Sequence, residues 1–349
     1  MAVMQGSSTP SERLRGLDSI RFLCAFWVFC YHDVPPLVIS GDSKLGWAAR
    51  GLWGNLWCGP AAVIVFFIIS GFCIHHPYAQ FARRPRLREF YARRYLRLLP
   101  PMLAAIILGR VSGVSMAFLQ VSVLWSLLAE FIYYLIYPAL LALRVRLGGW
   151  RGLVLAAYVA ALVVILRNPQ APDYPSFGPG WNWLVGLPCW LLGCELADTV
   201  QAPGGTPVSL RNIWFWRGLI LLLGIGCSVL RFHAAVGYPW SLNIFALPAV
   251  VWLHREICYH RAARPIRWIE WAGQWSYSLY LVHGPAAALF RAWFSFVTPN
   301  LILPWMLMAG FVLVVSCLFY YAVERPSHLL ARQAARRLRP SAPRVADAV

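Results

Sequence analysis

RGLDSIRFLCAFWVFCYH, residues 15–32, is an apolar run with an arginine near its start and a histidine at its end. As a helix it sets Arg21 and His32 about three turns apart, roughly 16 Å along the axis, on nearly one face. Ionisable groups inside an apolar segment are costly and face a cavity or a partner, so the pair marks function from the outset. Whether this helix crosses a membrane is decided by the segments around it.

Only 13% of the 349 residues are charged, and 60% are hydrophobic. A soluble domain carries about twice that charge, which puts the bulk of the chain in a bilayer. The N-terminal Ser/Thr/Pro stretch has neither the basic n-region nor the cleavage site of a signal peptide, so the first apolar run is read as retained. Nine cysteines, at 24, 30, 58, 73, 189, 194, 227, 258 and 317, lie mostly inside apolar segments without Cys-x-x-Cys spacing. They read as buried free thiols, with no metal site and no disulfide framework.

Runs of about 17 to 25 apolar residues mark bilayer-spanning helices. Ten lie near 17–36, 58–78, 96–113, 121–143, 150–167, 181–197, 214–232, 239–254, 274–296 and 301–323, with Pro188 and Pro248 interrupting the sixth and eighth. The connections alternate in charge. Arg13 and Arg15 precede the first run, and Arg83, Arg84, Arg86, Arg88, Arg93, Arg94 and Arg97 follow the second. Arg144, Arg146 and Arg151 follow the fourth, Arg211 and Arg217 the sixth, Arg255, Arg261, Arg264 and Arg267 the eighth, and a series from Arg325 to Arg344 the tenth. The other connections hold little more than Lys44, Arg50, Arg110, Arg167 and Arg231.

Under the positive-inside rule this alternation gives an all-α polytopic membrane protein of about ten transmembrane helices with both termini cytoplasmic. The net charge of +18 is thereby assigned to a membrane surface and not to nucleic acid. Trp47, Trp53, Trp57, Trp181 and Trp183 on the outer connections read as interface anchors, and sugar stacking is the other use of such rings. Residues 327–349, rich in Arg, Ala and Pro, read as a basic cytoplasmic tail with a short amphipathic start and disorder beyond it.

In this topology His32 lies near the outer third of the first helix and Arg21 near its cytoplasmic side. In the fourth helix Ser126 and Glu130 stand at i and i+4 on one face, with Glu130 at a depth comparable with His32. A carboxylate beside an imidazole would hold its tautomer and raise its basicity, as a general base needs. Arg93, Arg94 and Arg97 run straight into the third helix, and guanidinium groups bind phosphate oxygens bidentately. A phosphorylated carrier would dock there from the cytoplasm.

Ser276, Tyr280 and His283 follow i, i+4, i+7 spacing and form a polar stripe in the ninth helix, which suits either interhelical hydrogen bonds or a site. Glu324-Arg325-Pro326 reads as a structural salt bridge at the end of the tenth helix. Ser70-Gly71 offers a small pair for close helix packing.

Taken together, these motifs resemble the membrane acyltransferase-3 family. They are an Arg-x10-His first helix, Phe-Phe-x-x-Ser-Gly-Phe in the second, Arg-Arg-x-x-Arg into the third, Trp-Ser-Leu-x-x-Glu in the fourth, Ser-Tyr-Ser-Leu-Tyr-Leu-x-His in the ninth and a closing Glu-Arg-Pro. The resemblance covers residues 14 to 326 and implies that 1–326 form the acyltransferase-like membrane domain. After Glu130 this chain reads Phe-Ile-Tyr-Tyr, where many relatives have a further acidic or amide residue.

The family implies transfer of an acyl group, usually acetyl and then from acetyl-CoA, from a cytoplasmic acyl-CoA to a hydroxyl of a glycan, glycolipid or lipo-oligosaccharide, and the Arg/Ala-rich composition suits a bacterial inner membrane. The family also implies His32 and Glu130 as the catalytic pair, and Arg21, Arg93, Arg94 and Arg97 as the acyl-CoA ligands. Ser126, Tyr280 and His283 are then candidates for substrate or oxyanion contacts, and no metal is required. Direct attack and an acyl-histidine intermediate both fit. The rival is a transporter or flippase using His, Glu and Arg as a proton relay, although the internal symmetry of many transporters is missing from the sequence.

Overall fold

Without water, a chain in lipid satisfies its backbone N–H and C=O groups by helix formation or barrel closure, and continuous apolar runs of about twenty residues, in place of short alternating ones, select the helix. The computed structural model describes residues 14–37, 43–79, 85–114, 123–200, 208–294 and 301–338. They form an all-α bundle. Its elements are α1 (Leu17–His32), α2 (Lys44–Leu56), α3 (Gly59–Ala79), α4 (Leu87–Val111), α5 (Leu124–Arg146), α6 (Trp150–Arg167), α7 (Gly178–Thr199), α8 (Leu210–His233), α9 (Tyr238–Ala262), α10 (Arg267–Ala272), α11 (Ser276–Trp293), α12 (Ile302–Phe319) and α13 (Arg325–Arg337).

Ten of these helices have sixteen residues or more, one in each of the expected apolar segments. Five stretches are long and apolar enough to cross a membrane: Lys44–Ala79, Leu124–Arg146, Trp150–Arg167, Leu210–His233 and Ile302–Arg337. This makes the chain a multi-pass membrane protein.

Helices α1, α4, α7, α9 and α11 fall outside that group for physical reasons. α1 has only 16 residues, and α4 begins with an arginine-rich turn. α7, α9 and α11 bury Asn182, Asn243, Glu256 and His283 against protein, so hydropathy understates them. α7 and α9 also run through Pro188 and Pro248 without ending.

Two elements depart from the expected connections. The segment before α3 contains the amphipathic α2, whose Leu45, Trp47 and Leu52 are exposed. The expected tail begins as helix, since α12 continues through a π-helical turn at Tyr320–Glu324 into α13. Arg13, Arg83, Arg84 and residues 339–349 lie outside the described residues. The nine cysteines are free, and six of them are buried.

The tightest seam joins α3 to α7. A Cβ on Gly71 would lie 1.9 Å from the Trp190 carbonyl oxygen, and one on Gly193 would lie 1.9 Å from that of Ile68. Backbones meet because neither glycine has a side chain, the usual device for packing helices where lipid gives no hydrophobic drive. At one end of the seam a buried polar clamp completes it. His75 bonds the Tyr137 hydroxyl and Asp198, each at 2.9 Å, and Arg144 donates to the same aspartate.

Candidate active site

Helix α1 is fixed at its arginine end by a carboxylate from α10. Glu270 accepts from the backbone N–H groups of Gly16 and Ser19, each at 3.1 Å, and from the Ser19 hydroxyl at 2.6 Å. An anion at an N-terminus satisfies orphan N–H groups and complements the helix dipole. Glu324 does the same for α11, accepting from the Ser278 N–H at 3.1 Å and hydroxyl at 2.6 Å. Glu324 thus serves as a cap, and the side chain that lies in ion-pair range of it is His328, at 3.4 Å, in place of Arg325. Arg325 lies instead over the Tyr321 ring, 5.7 Å from its centroid.

Between α1, α3, α4, α5, α11 and α13 lies a cavity of about 630 Å³. Arg21, Arg94, Arg97 and Arg332 bring guanidinium groups to it, with His328 beside them. Arg21 is held by Asp18 at 3.0 Å and donates to the Cys73 sulfur at 3.0 Å. Such a concentration of guanidinium groups around one cavity suits a phosphate-bearing ligand. Arg93 does not join them. It is exposed and pairs with Glu89 at 2.6 Å.

Glu130, Ser126 and Tyr280 line the same cavity. Glu130 accepts from the Ser70 hydroxyl at 2.7 Å and from Tyr134, while Trp190 donates to Ser70 at 3.2 Å. The structure therefore gives Glu130 partners other than His32. The Ser126 and Tyr280 hydroxyls lie 2.7 Å apart. His283 follows one turn along α11, with ring centroids 6.5 Å from Tyr280. His32 stacks on His283 at 5.3 Å and 27°, and it is exposed at the end of α1. His283 is buried, and its Nδ1 lies 3.1 Å from the Leu279 carbonyl. Ser276 bonds locally to Gly273 at 2.9 Å and also lines the cavity.

The expected residues thus sort into two groups. Arg21, Arg94, Arg97, Glu130, Ser126 and Tyr280 share the cavity, and His32 and His283 pair just beyond its lining. Sequence reading passed over Asp18, Tyr134, His328 and Arg332, and it took Glu324 only as half of a salt bridge. His328 and Arg332 stand at i and i+4 on α13, and that spacing was the available signal. Among the described residues no His, Cys, Asp and Glu cluster could hold a metal.

These features first define a class: an all-α multi-pass membrane protein with an internal cavity rich in cations. The chain belongs to the acyltransferase-3 family, whose profile, described as an acyltransferase domain, matches residues 14–321. It is similar to acyltransferase MdmB of Streptomyces mycarofaciens, with 25% identity over 319 residues, covering 78% of each chain. No solved structure gives a significant match. As a member of this family the protein is a membrane acyltransferase, which needs an acyl donor and an acceptor.

Proposed function

We propose that this enzyme transfers an acyl group, acetyl in the simplest case, from cytoplasmic acyl-CoA to a hydroxyl of a glycan, glycolipid or lipo-oligosaccharide at a bacterial inner membrane. Ten crossings with both termini cytoplasmic, read from the alternation of arginines, give the orientation. The guanidinium end of the cavity then faces the cytoplasm and the His32 end faces outward. The observation that carries the reading is the succession from Arg94 and Arg97 through the Ser126–Tyr280 pair to His283 and His32.

In this mechanism Arg94, Arg97 and Arg332 bind the diphosphate of the donor, Arg21 assists, and the pantetheine arm follows the cavity. His32 takes the proton of the acceptor hydroxyl through a ring nitrogen. The oxygen attacks the thioester carbonyl, and CoA leaves as its thiolate. The Tyr280 and Ser126 hydroxyls, which bond each other and reach the Val123 carbonyl, would supply an oxyanion donor by turning one O–H from that carbonyl to the substrate. His283, stacked on His32 with ring centroids 5.3 Å apart, fixes the plane of the base. Glu130 braces the cavity wall through Ser70 and Tyr134.

The test is purified protein with acetyl-CoA and a candidate acceptor, followed by release of free CoA and by mass spectrometry of the product. His32→Ala should remain a monodisperse membrane protein and lose transfer. Normal acylation by that variant would sink the assignment.

A further inference from the structure

Beside the main cavity lies a second one of about 580 Å³, which shares Leu14 and Gln274 with it. Its lining includes Arg15, Arg261, Arg264 and Arg267, with His260 and the half-exposed ring of Trp271. Topology accounts for the charge of this connection between α9 and α10. It does not account for the charges' convergence on a concavity.

The sole acid in that lining is Glu270, and its oxygens already cap α1. Arg261 donates to the Val200 carbonyl. Among the described residues, Arg15, Arg264 and Arg267 have neither a hydrogen bond nor an ion pair, and all three are exposed. Like charges gathered without a counterion repel one another, and an anion drawn into the recess relieves that repulsion.

We propose that this recess holds the 3′-phosphorylated adenosine end of coenzyme A while the diphosphate lies on Arg94 and Arg97 in the main cavity. The inference rests on the acyl-CoA reading above and adds a second, separate subsite. Coenzyme A carries phosphate at two places, the diphosphate in the middle and the 3′-phosphate beside the base. Two adjoining cation-lined chambers offer one place for each. The ribose 3′-phosphate takes the forks of Arg264 and Arg267, and the adenine lies against Trp271, since any base offers a face to an aromatic ring. A lipid headgroup would also satisfy the arginines. The shared lining with the donor cavity and the exposed indole favour the nucleotide.

The experiment uses the full chain in nanodiscs of phosphatidylcholine, with affinities measured for CoA and for 3′-dephospho-CoA. The wild type should bind CoA at least tenfold more tightly than 3′-dephospho-CoA. The double variant Arg264→Gln, Arg267→Gln should weaken CoA binding at least tenfold and leave 3′-dephospho-CoA binding unchanged, with an unaltered melting temperature.

Equal affinities of the wild type for the two ligands would overturn the subsite while leaving the acyl-CoA reading intact. So would a double variant that weakens both ligands alike, or neither. A wild type that binds no CoA would overturn both. In a second arm phosphatidylglycerol is added to the nanodiscs. If it abolishes the discrimination between the two ligands in the wild type but not the binding of either, the recess is a lipid headgroup site and the proposal fails.

Discussion

Ser70 and Gly71 are neighbours on α3, yet they face different interiors. Gly71 looks into the α3–α7 seam, where a carbonyl oxygen would lie 1.9 Å from any added Cβ. Ser70 looks into the cavity, where it bonds Glu130 and accepts from Trp190. The seam is closely packed and built around the smallest residue. The cavity wall sets arginines, hydroxyls and carboxylates among apolar side chains such as Phe66 and Leu127, around a space of about 630 Å³. Clamping α3 on one face leaves Ser70 and Cys73, among apolar neighbours on its other face, lining the open cavity.

That contrast separates substitutions that remove activity from those that remove the fold. The largest expected effect is that of His32→Ala, at the far end of the open side. Loss of a general base typically costs 10²- to 10⁴-fold, about 3 to 5 kcal/mol of transition-state stabilisation at ~1.4 kcal/mol per decade. Because the residue is exposed, stability should shift by no more than about 0.5 kcal/mol. Rate assays paired with melting curves check both halves of that statement.

Next comes Gly193→Ala in the seam. Overpacking costs about 1–3 kcal/mol, and here backbone opposes the new methyl, so a value at or above the top of that range is expected. It should appear as a lowered melting temperature or loss of monodisperse protein. A variant as stable as wild type would break the comparison.

Tyr280→Phe should lower kcat by roughly 10²-fold, the lower end for loss of an oxyanion donor, with KM for the donor nearly unchanged. An equal rise in KM would move Tyr280 from chemistry to binding. Arg93→Ala should do least, because an exposed ion pair contributes about 0–1 kcal/mol and its side chain faces away from the cavity. A large KM effect at Arg93 would return it to the donor site that the sequence suggested.

Much of the helical architecture was legible because hydropathy and arginine placement act on whole segments. Each of the ten apolar runs contains a long helix, and Gly71 marked a close approach. What the sequence could not supply was azimuth. Matching depth suggested a His32–Glu130 pair, but depth does not fix the direction in which a helix face points, and Ser70 and Tyr134 lie nearer the carboxylate. In the same way Arg93 and Arg94 are adjacent in sequence and diverge by about 100° around α4. His328 and Arg332 were hidden because their segment is too polar to resemble a span, though α13 packs on α4 and reaches the cavity.

The π-helical turn at Tyr320–Glu324 has a consequence for how this segment can vary. Five residues there join the apolar α12 to the amphipathic α13 without a break in the helix. Each residue advances a helix by about 100°, so the turn sets the phase in which α13 emerges. Glu324 falls on Ser278, and His328 and Arg332 fall on the cavity, only in that phase. The segment therefore behaves like a reading frame with one spare position: the π turn can give up its extra residue by becoming α-helix, whereas deletion of a single residue in α13 ahead of His328 would rotate His328 and Arg332 away from their places.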